Sequence, residues 1–122
     1  MSPGMPASPT DIAKWLGQLI RQLDAKVAEY AQLSDEAAAA RKHAEVSFAR
    51  AFLGATGSMD LRRQIAMRDA ADARFGADIA DRKVAACKEA IRALHLKVDV
   101  GRTASANVRA ELTALGGGSE GT

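Results

Sequence analysis

The sequence predicts an all-α protein, a long antiparallel helical hairpin of the coiled-coil type with a kinked or separate short C-terminal helix. Three observations predict this fold. Alanine makes up roughly a fifth of the chain, charged residues 26% and aromatic residues only 4%, a balance typical of long helices. Apolar residues recur at alternating spacings of three and four, and only one short break, residues 54–58, separates two long helical stretches.

The first helix is predicted over residues 9–53. Ser8 can cap it, Pro9 suits the first helical position, and Asp11 lies in the first turn, where a carboxylate complements the helix dipole. The residues before it, 1–8, are expected to be a disordered N-terminus. The apolar stripe of this helix is formed by Ile12, Leu16, Leu19, Leu23, Tyr30, Leu33, Ala37, Ala40, Ala44 and Ala51.

The second helix is predicted over residues 59–97, after a turn at 54–58. Gly54 suits a helix end, and Ser58 can cap the next helix. Near residues 98–101, two β-branched residues and Gly101 weaken helix formation, so we expect a kink or a separate helix over 103–115. The predicted helical domain therefore spans 9–115, and the glycine-rich residues 116–122 are expected to form a disordered tail.

Composition also limits the function classes. A core built from alanine buries little apolar surface, so a second copy is expected to complete it and the protein to be a homo-oligomer. The single cysteine, Cys87, fits a reducing compartment, and residues 1–9 hold three prolines and no long apolar run. We therefore expect a cytoplasmic protein that does not enter a membrane.

Charge is distributed unevenly along the predicted hairpin. With the turn at 54–58, residue i of the first arm would lie opposite about residue 112 − i of the second. Segments 11–36 and 76–101 then carry opposite net charges and favour this pairing, although each surface pair contributes only about 0.5 kcal/mol. Over 41–74, by contrast, seven basic residues stand against four acidic ones, a net charge of +3.

This basic tip is the predicted binding site. Arginine dominates it, and the planar guanidinium suits phosphate or carboxylate groups. The alternative is a solvated, structural tip whose arginines pair with Asp60, Asp69 or Asp72. The candidate contacts for an anion or a nucleic acid are Arg41, Lys42, Arg50, Arg62, Arg63 and Arg68.

Catalytic and metal-binding constellations are not predicted. His95 and Asp99 share a helix face but lack a third ligand, and Cys87 lies on the apolar stripe with no histidine at helical spacing. We therefore expect no enzymatic activity and no cofactor. Trp15, near the open end of the hairpin, either covers the core or anchors a partner chain.

Two runs of the sequence carry a resemblance to known proteins. They are Ala44-Glu45-Val46 with Phe48-Ala-Arg-Ala-Phe-Leu53 and Gly57-Ser58, and Val98-Asp-Val-Gly-Arg102 with Ala106-Asn-Val-Arg-Ala-Glu111. Both runs resemble a pattern in small helical proteins of actinobacterial phages and prophages. The similarity covers about residues 41–112. Such proteins mostly have no assigned activity, but some occur among phage genes for DNA replication and recombination, so the resemblance implies a role linked to nucleic acid.

Two functional hypotheses follow. In the first, a non-enzymatic phage-type accessory protein binds DNA, RNA or an acidic protein surface through its basic tip. In the second, a coiled-coil assembly subunit or inhibitor of a host protein binds through its apolar helical stripes. The interface residues of the second hypothesis are Leu16, Leu19, Leu23, Val108, Leu112 and Leu115.

Overall fold

The computed structural model describes residues 8–120, with side chains described through Gly116. Its helices are α1 (Pro9–Gly54), α2 (Met59–Asp69) and α3 (Ala71–Glu120), and the described residues form no strand. The long helices α1 and α3 pack against each other, which confirms the predicted all-α hairpin. Within the described part of the chain, no helix has an apolar stretch sufficient to cross a membrane.

The start of α1 and the turn follow their local sequence signals. The Ser8 hydroxyl accepts a hydrogen bond from the Asp11 amide (3.1 Å), as expected of an N-cap. After α1, Gly57 has φ 114°, in the left-handed region that favours glycine. Ser58 then caps α2, its hydroxyl accepting from the Leu61 amide (3.2 Å). These contacts satisfy amides that the first turns of α1 and α2 would otherwise leave unbonded.

The prediction of one helix over 59–97 is wrong, because α2 ends at Asp69 and α3 begins at Ala71. Between them Ala70 has φ −93° and ψ 1°, and its amide donates to the Ala66 carbonyl (2.9 Å). No glycine or proline marks this break. Both Ala66 and Ala70 are 0% exposed, so close packing accompanies a break that helix propensity does not show.

Of the two alternatives expected near residues 98–103, a kink or a separate helix over 103–115, the separate helix is wrong. Helix α3 is continuous through Gly101, whose added Cβ would lie 2.5 Å from Leu16 Cδ2 and 3.0 Å from Trp15 Cζ3. Glycine at this position permits close approach of α1, so it serves packing rather than helix termination. The helix continues past Leu115 to Glu120, where a tail was predicted; residues 1–7 and 121–122 of the predicted termini lie outside the described residues.

The chain divides into two compact units. Unit 1 comprises the chain up to Val27 and from Ala90 onward, and unit 2 comprises Ala28–Glu89. In unit 1, the buried cluster of Leu19, Leu94 and Val98 is covered by half-buried Trp15 and Leu23. Trp15 therefore covers the core of unit 1, as one of its two interpretations predicted.

Unit 2 has a different interior. Its buried apolar residues, among those described, are Ala37, Ala44, Ala66, Ala70, Ala77 and Cys87. The small side chains leave little apolar area to bury, so this unit depends on close approach of helix backbones and on contacts at its edges.

The helix register differs from the predicted one in each unit. In unit 1, Gly101 lies beside Leu16, a position that the prediction gave to Leu96. In unit 2, Asp81 pairs with Arg41, where the prediction placed Ala71. The predicted register assumed one continuous helix after the turn, whereas the structure has α2 and a break at Ala70 before α3 begins.

Candidate binding surface at the helical turn

The turn region, defined as residues 50–68, joins the end of α1 to α2 within unit 2. It carries four arginines against one acidic residue, Asp60, so its net charge is +3. The predicted binding residues Arg50, Arg62, Arg63 and Arg68 lie in it, and Arg41 and Lys42 lie farther back along α1. The structure gives these six side chains three different environments.

Arg62 is held against the end of α1. Its Nε and Nη2 donate to the Phe52 carbonyl at 3.3 and 3.2 Å, and its Cζ lies 4.7 Å from the centroid of the Phe52 ring. The carbonyls of the last helical turn lack intrahelical donors and carry the negative end of the helix dipole, so a guanidinium stabilises them. The Arg62 side chain therefore joins α2 to α1 and is half-buried.

Arg41, Arg63 and Arg68 form ion pairs at the surface. Arg41 pairs across the helices with Asp81 (2.7 Å), Arg63 with Asp60 (3.8 Å) and Arg68 with Asp69 (3.0 Å). The three arginine side chains are still 55%, 57% and 75% exposed. Such pairs contribute about 0–1 kcal/mol, so an external carboxylate or phosphate can compete for these guanidinium groups.

Lys42 and Arg50 are exposed and have no ion pair among the described residues. Their helical spacing places them with Leu53 on one face of α1, away from the face that carries the stacked rings of Phe48 and Phe52. Leu53 is 76% exposed. This face combines two unpaired cations with a large apolar side chain in water.

Helix α2 presents a second surface of the same kind. Met59, Arg63 and Met67 follow at intervals of four and share one face, with Met59 59% and Met67 44% exposed. Leu61, on another face of α2, is 51% exposed. The charge pattern did not predict these apolar residues, although Leu53 and Met59, which directly flank the turn, are large side chains that a turn does not require.

A groove of about 540 Å³ lies between α1 and α3 in unit 2. It is lined by both signs of charge, Arg41 and Arg74 against Glu45 and Asp78, together with Phe48 and two alanines. The Arg74 Cζ lies 4.6 Å from the centroid of the Phe48 ring. Balanced charge gives the groove no preference for an anion, so the turn region remains the stronger candidate.

The predicted interface leucines divide into two groups. Leu19 is buried and Leu16 and Leu23 are half-buried, all within the packing of unit 1. On α3, Val108 is half-buried, whereas Leu112 and Leu115 are 56% and 74% exposed. Of the six predicted interface residues, all of which the structure describes, Leu112 and Leu115 are the most accessible to a partner.

Metal ligands do not cluster in the part of the chain that the structure describes, where no three His, Cys, Asp or Glu residues are placed to share an ion. No family model, curated protein or solved structure matches the chain. The resemblance to actinobacterial phage proteins therefore stays a prediction.

Proposed function

We propose that this protein is a non-catalytic accessory protein that binds an acidic surface of a partner protein through its turn region. The observation that carries the proposal is the coincidence of exposed cations and exposed large apolar side chains around one turn. Leu53, Met59 and Leu61 are each more than half exposed, beside arginines that have surface partners or none. Arginine and methionine are enriched in protein interfaces, whereas lysine is depleted.

The expected contacts have distinct roles. Arg50, Arg63 and Arg68 would pair with carboxylates at the rim, with Lys42 and Arg41 behind them. Leu53, Met59 and Met67 would supply the apolar contacts, which carry more affinity than rim charges once water is excluded. Arg62 would hold the surface in shape, because its guanidinium already binds the end of α1.

Nucleic acid is a second candidate ligand, favoured by the net charge of +3 and by the unpaired Lys42 and Arg50. In that case, phosphate contacts would dominate, and affinity would fall steeply with salt. The exposed leucine and methionines would then contribute little, because contacts to the nucleic-acid backbone are made by charged and polar groups. The two candidates therefore differ in what the apolar side chains do.

Two pairs of variants separate the candidates. Arg50→Glu with Arg63→Glu removes charge from the turn region, and Lys97→Glu with Arg102→Glu is its matched control on exposed α3 residues of unit 1. Leu53→Gln with Met59→Gln removes apolar surface, and Leu96→Gln with Val100→Gln is the control at similar exposure. None of these changes removes a buried side chain, so each variant should fold.

A photoreactive amino acid in place of Leu53 is used to capture the partner protein, with the same replacement of Leu96 as the control. The affinity of each variant for the captured protein is then measured. Both turn-region variants should weaken binding at least tenfold, and both controls should bind normally. In parallel, anisotropy of labelled single- and double-stranded DNA at about 50 and 200 mM salt tests the second candidate. DNA binding that weakens with salt and is lost only in the Arg50→Glu, Arg63→Glu variant would establish nucleic acid as the ligand. Equal protein capture from positions 53 and 96, together with no DNA binding, would contradict both candidate functions.

A further inference from the structure

Helix α3 extends beyond the start of α1 in unit 1. Gly101 lies beside Leu16, so antiparallel helices of equal rise place Val108 opposite Pro9, where α1 begins. By this register, residues 109–120 of α3 extend past Pro9, over a length of about 18 Å. We call this segment the α3 overhang.

The overhang continues the apolar stripe that packs against α1. Leu94, Val98, Gly101, Ser105, Val108, Leu112 and Leu115 follow at alternating spacings of four and three. Exposure rises along this stripe, from 3% at Val98 to 56% at Leu112 and 74% at Leu115. The face that is buried under α1 is thus uncovered at the overhang, among the residues that the structure describes.

We propose that the α3 overhang of a second copy covers this face, so that two chains join by their overhangs in an antiparallel, two-fold arrangement. In that pairing, Leu112 packs against Leu115 of the second copy and Leu115 against its Leu112. Two leucines three residues apart are self-complementary about a two-fold axis, and the two overhangs have the same length. Beyond Pro9, where α1 begins, the second α3 would then pack on the same face of α3 that α1 covers in unit 1.

Continuity favours a second copy over an unrelated partner, and charge does not oppose it. The overhang carries Arg109 against Glu111 and Glu120, a net charge of only −1 in each copy. Its stripe has the three-four spacing that already packs against a helix in unit 1, so another helix of that spacing fits it. The contact is short, and we expect a reversible, concentration-dependent dimer below the size of an obligate interface.

Sedimentation velocity across a concentration series tests the association. Wild type should shift from monomer to dimer, and Leu112→Glu with Leu115→Glu should weaken dimerisation at least tenfold. Leu96→Glu with Val100→Glu, on another face of α3, is the control and should dimerise as wild type does. Both pairs are exposed, so circular dichroism should show unchanged helix content.

A monomeric wild type at every concentration would overturn the proposal. So would retained dimerisation of the Leu112→Glu, Leu115→Glu variant. A further variant without residues 2–7 tests whether the chain's own N-terminal segment occupies this face. If its removal converts a monomer into a dimer, that segment and not a second copy is the occupant in the intact chain.

Disulfide crosslinking tests the antiparallel register. In a Cys87→Ala background, Leu112→Cys and Leu115→Cys chains should crosslink with each other when mixed. Each variant alone should crosslink more slowly, because the two-fold pairing brings each position close to the other rather than to itself. Faster crosslinking within either single variant than in the mixture would contradict this arrangement.

Discussion

The two units of this chain use the same helices but different interiors. Unit 1 buries Ile12, Leu19, Leu94 and Val98, whereas the buried apolar residues described in unit 2 are five alanines and Cys87. A buried leucine contributes about 2 kcal/mol by area removed from water, and an alanine much less. The difference teaches that one helical pairing can depend on an apolar seam at one place and on backbone proximity and edge contacts at another.

The contacts between arginines and aromatic rings also differ between the two units. Both arginine–ring contacts described, Arg62 on Phe52 and Arg74 on Phe48, lie in unit 2. Large side chains that an ordinary core would bury remain in water in both units, with Phe75 63% and Leu53 76% exposed in unit 2 and Leu115 74% exposed in unit 1. A thin interior and an exposed apolar, basic surface thus occur together in unit 2, and the surface is the one that we propose for binding.

The largest expected effect comes from the apolar seam of unit 1, the buried cluster of Leu19, Leu94 and Val98. Leu19→Ala should lower the free energy of unfolding by about 2–3 kcal/mol, because Leu19 is 4% exposed and its removal leaves a cavity beside Leu94 and Val98. Urea denaturation followed by circular dichroism measures the change. Ile20→Ala, one position along and 42% exposed, is the control and should change stability by less than about 0.5 kcal/mol. Equal effects would mean that the seam does not dominate unit 1.

In unit 2 we expect the stability to be sensitive to the opposite kind of substitution, in which a small buried side chain is replaced by a larger one. Ala66→Leu should lower the free energy of unfolding by about 1–3 kcal/mol, because Ala66 is 0% exposed and three extra carbons have no space. Ala38→Leu, at an exposed position of α1, should change it by less than about 0.5 kcal/mol. Thermal unfolding of both variants makes the comparison. A stabilising Ala66→Leu would show that the alanine interior holds unfilled space.

Local sequence signals predicted where α1 and α2 begin. Ser8, Pro9 and Ser58 act within one turn of their own position, and the structure has α1 and α2 begin where they indicated. The buried faces followed from apolar spacing, since Ile12, Leu19, Ala37 and Ala44 were all on the predicted stripe. The all-α hairpin was predictable from these features alone.

Tertiary packing accounts for what the sequence did not predict. A glycine at position 101 suggests a helix end by propensity. Its role in the structure is instead to let α3 approach Leu16, which is distant in the chain. The break at Ala70 has no glycine or proline to mark it, and it changed the register that the charge argument used. Arg62 counted as a binding residue by charge alone, because sequence does not show that it lies over Phe52. The roles of Gly101 and Arg62 depend on contacts with residues of α1, which sequence alone does not show.

The smallest effect separates the structural arginine from the surface arginines. Arg62→Ala should lower the free energy of unfolding by about 1–2 kcal/mol, since it removes two charged hydrogen bonds to the Phe52 carbonyl and a contact with its ring. Arg63→Ala is the adjacent control and should change it by less than about 0.5 kcal/mol, because its pair with Asp60 is long and exposed. Arg62→Lys should recover only part of the loss, since an ammonium lacks the planar fork. If Arg62→Ala proved as mild as Arg63→Ala, the end of α1 would not depend on this guanidinium, and Arg62 would return to the set of side chains available to a ligand.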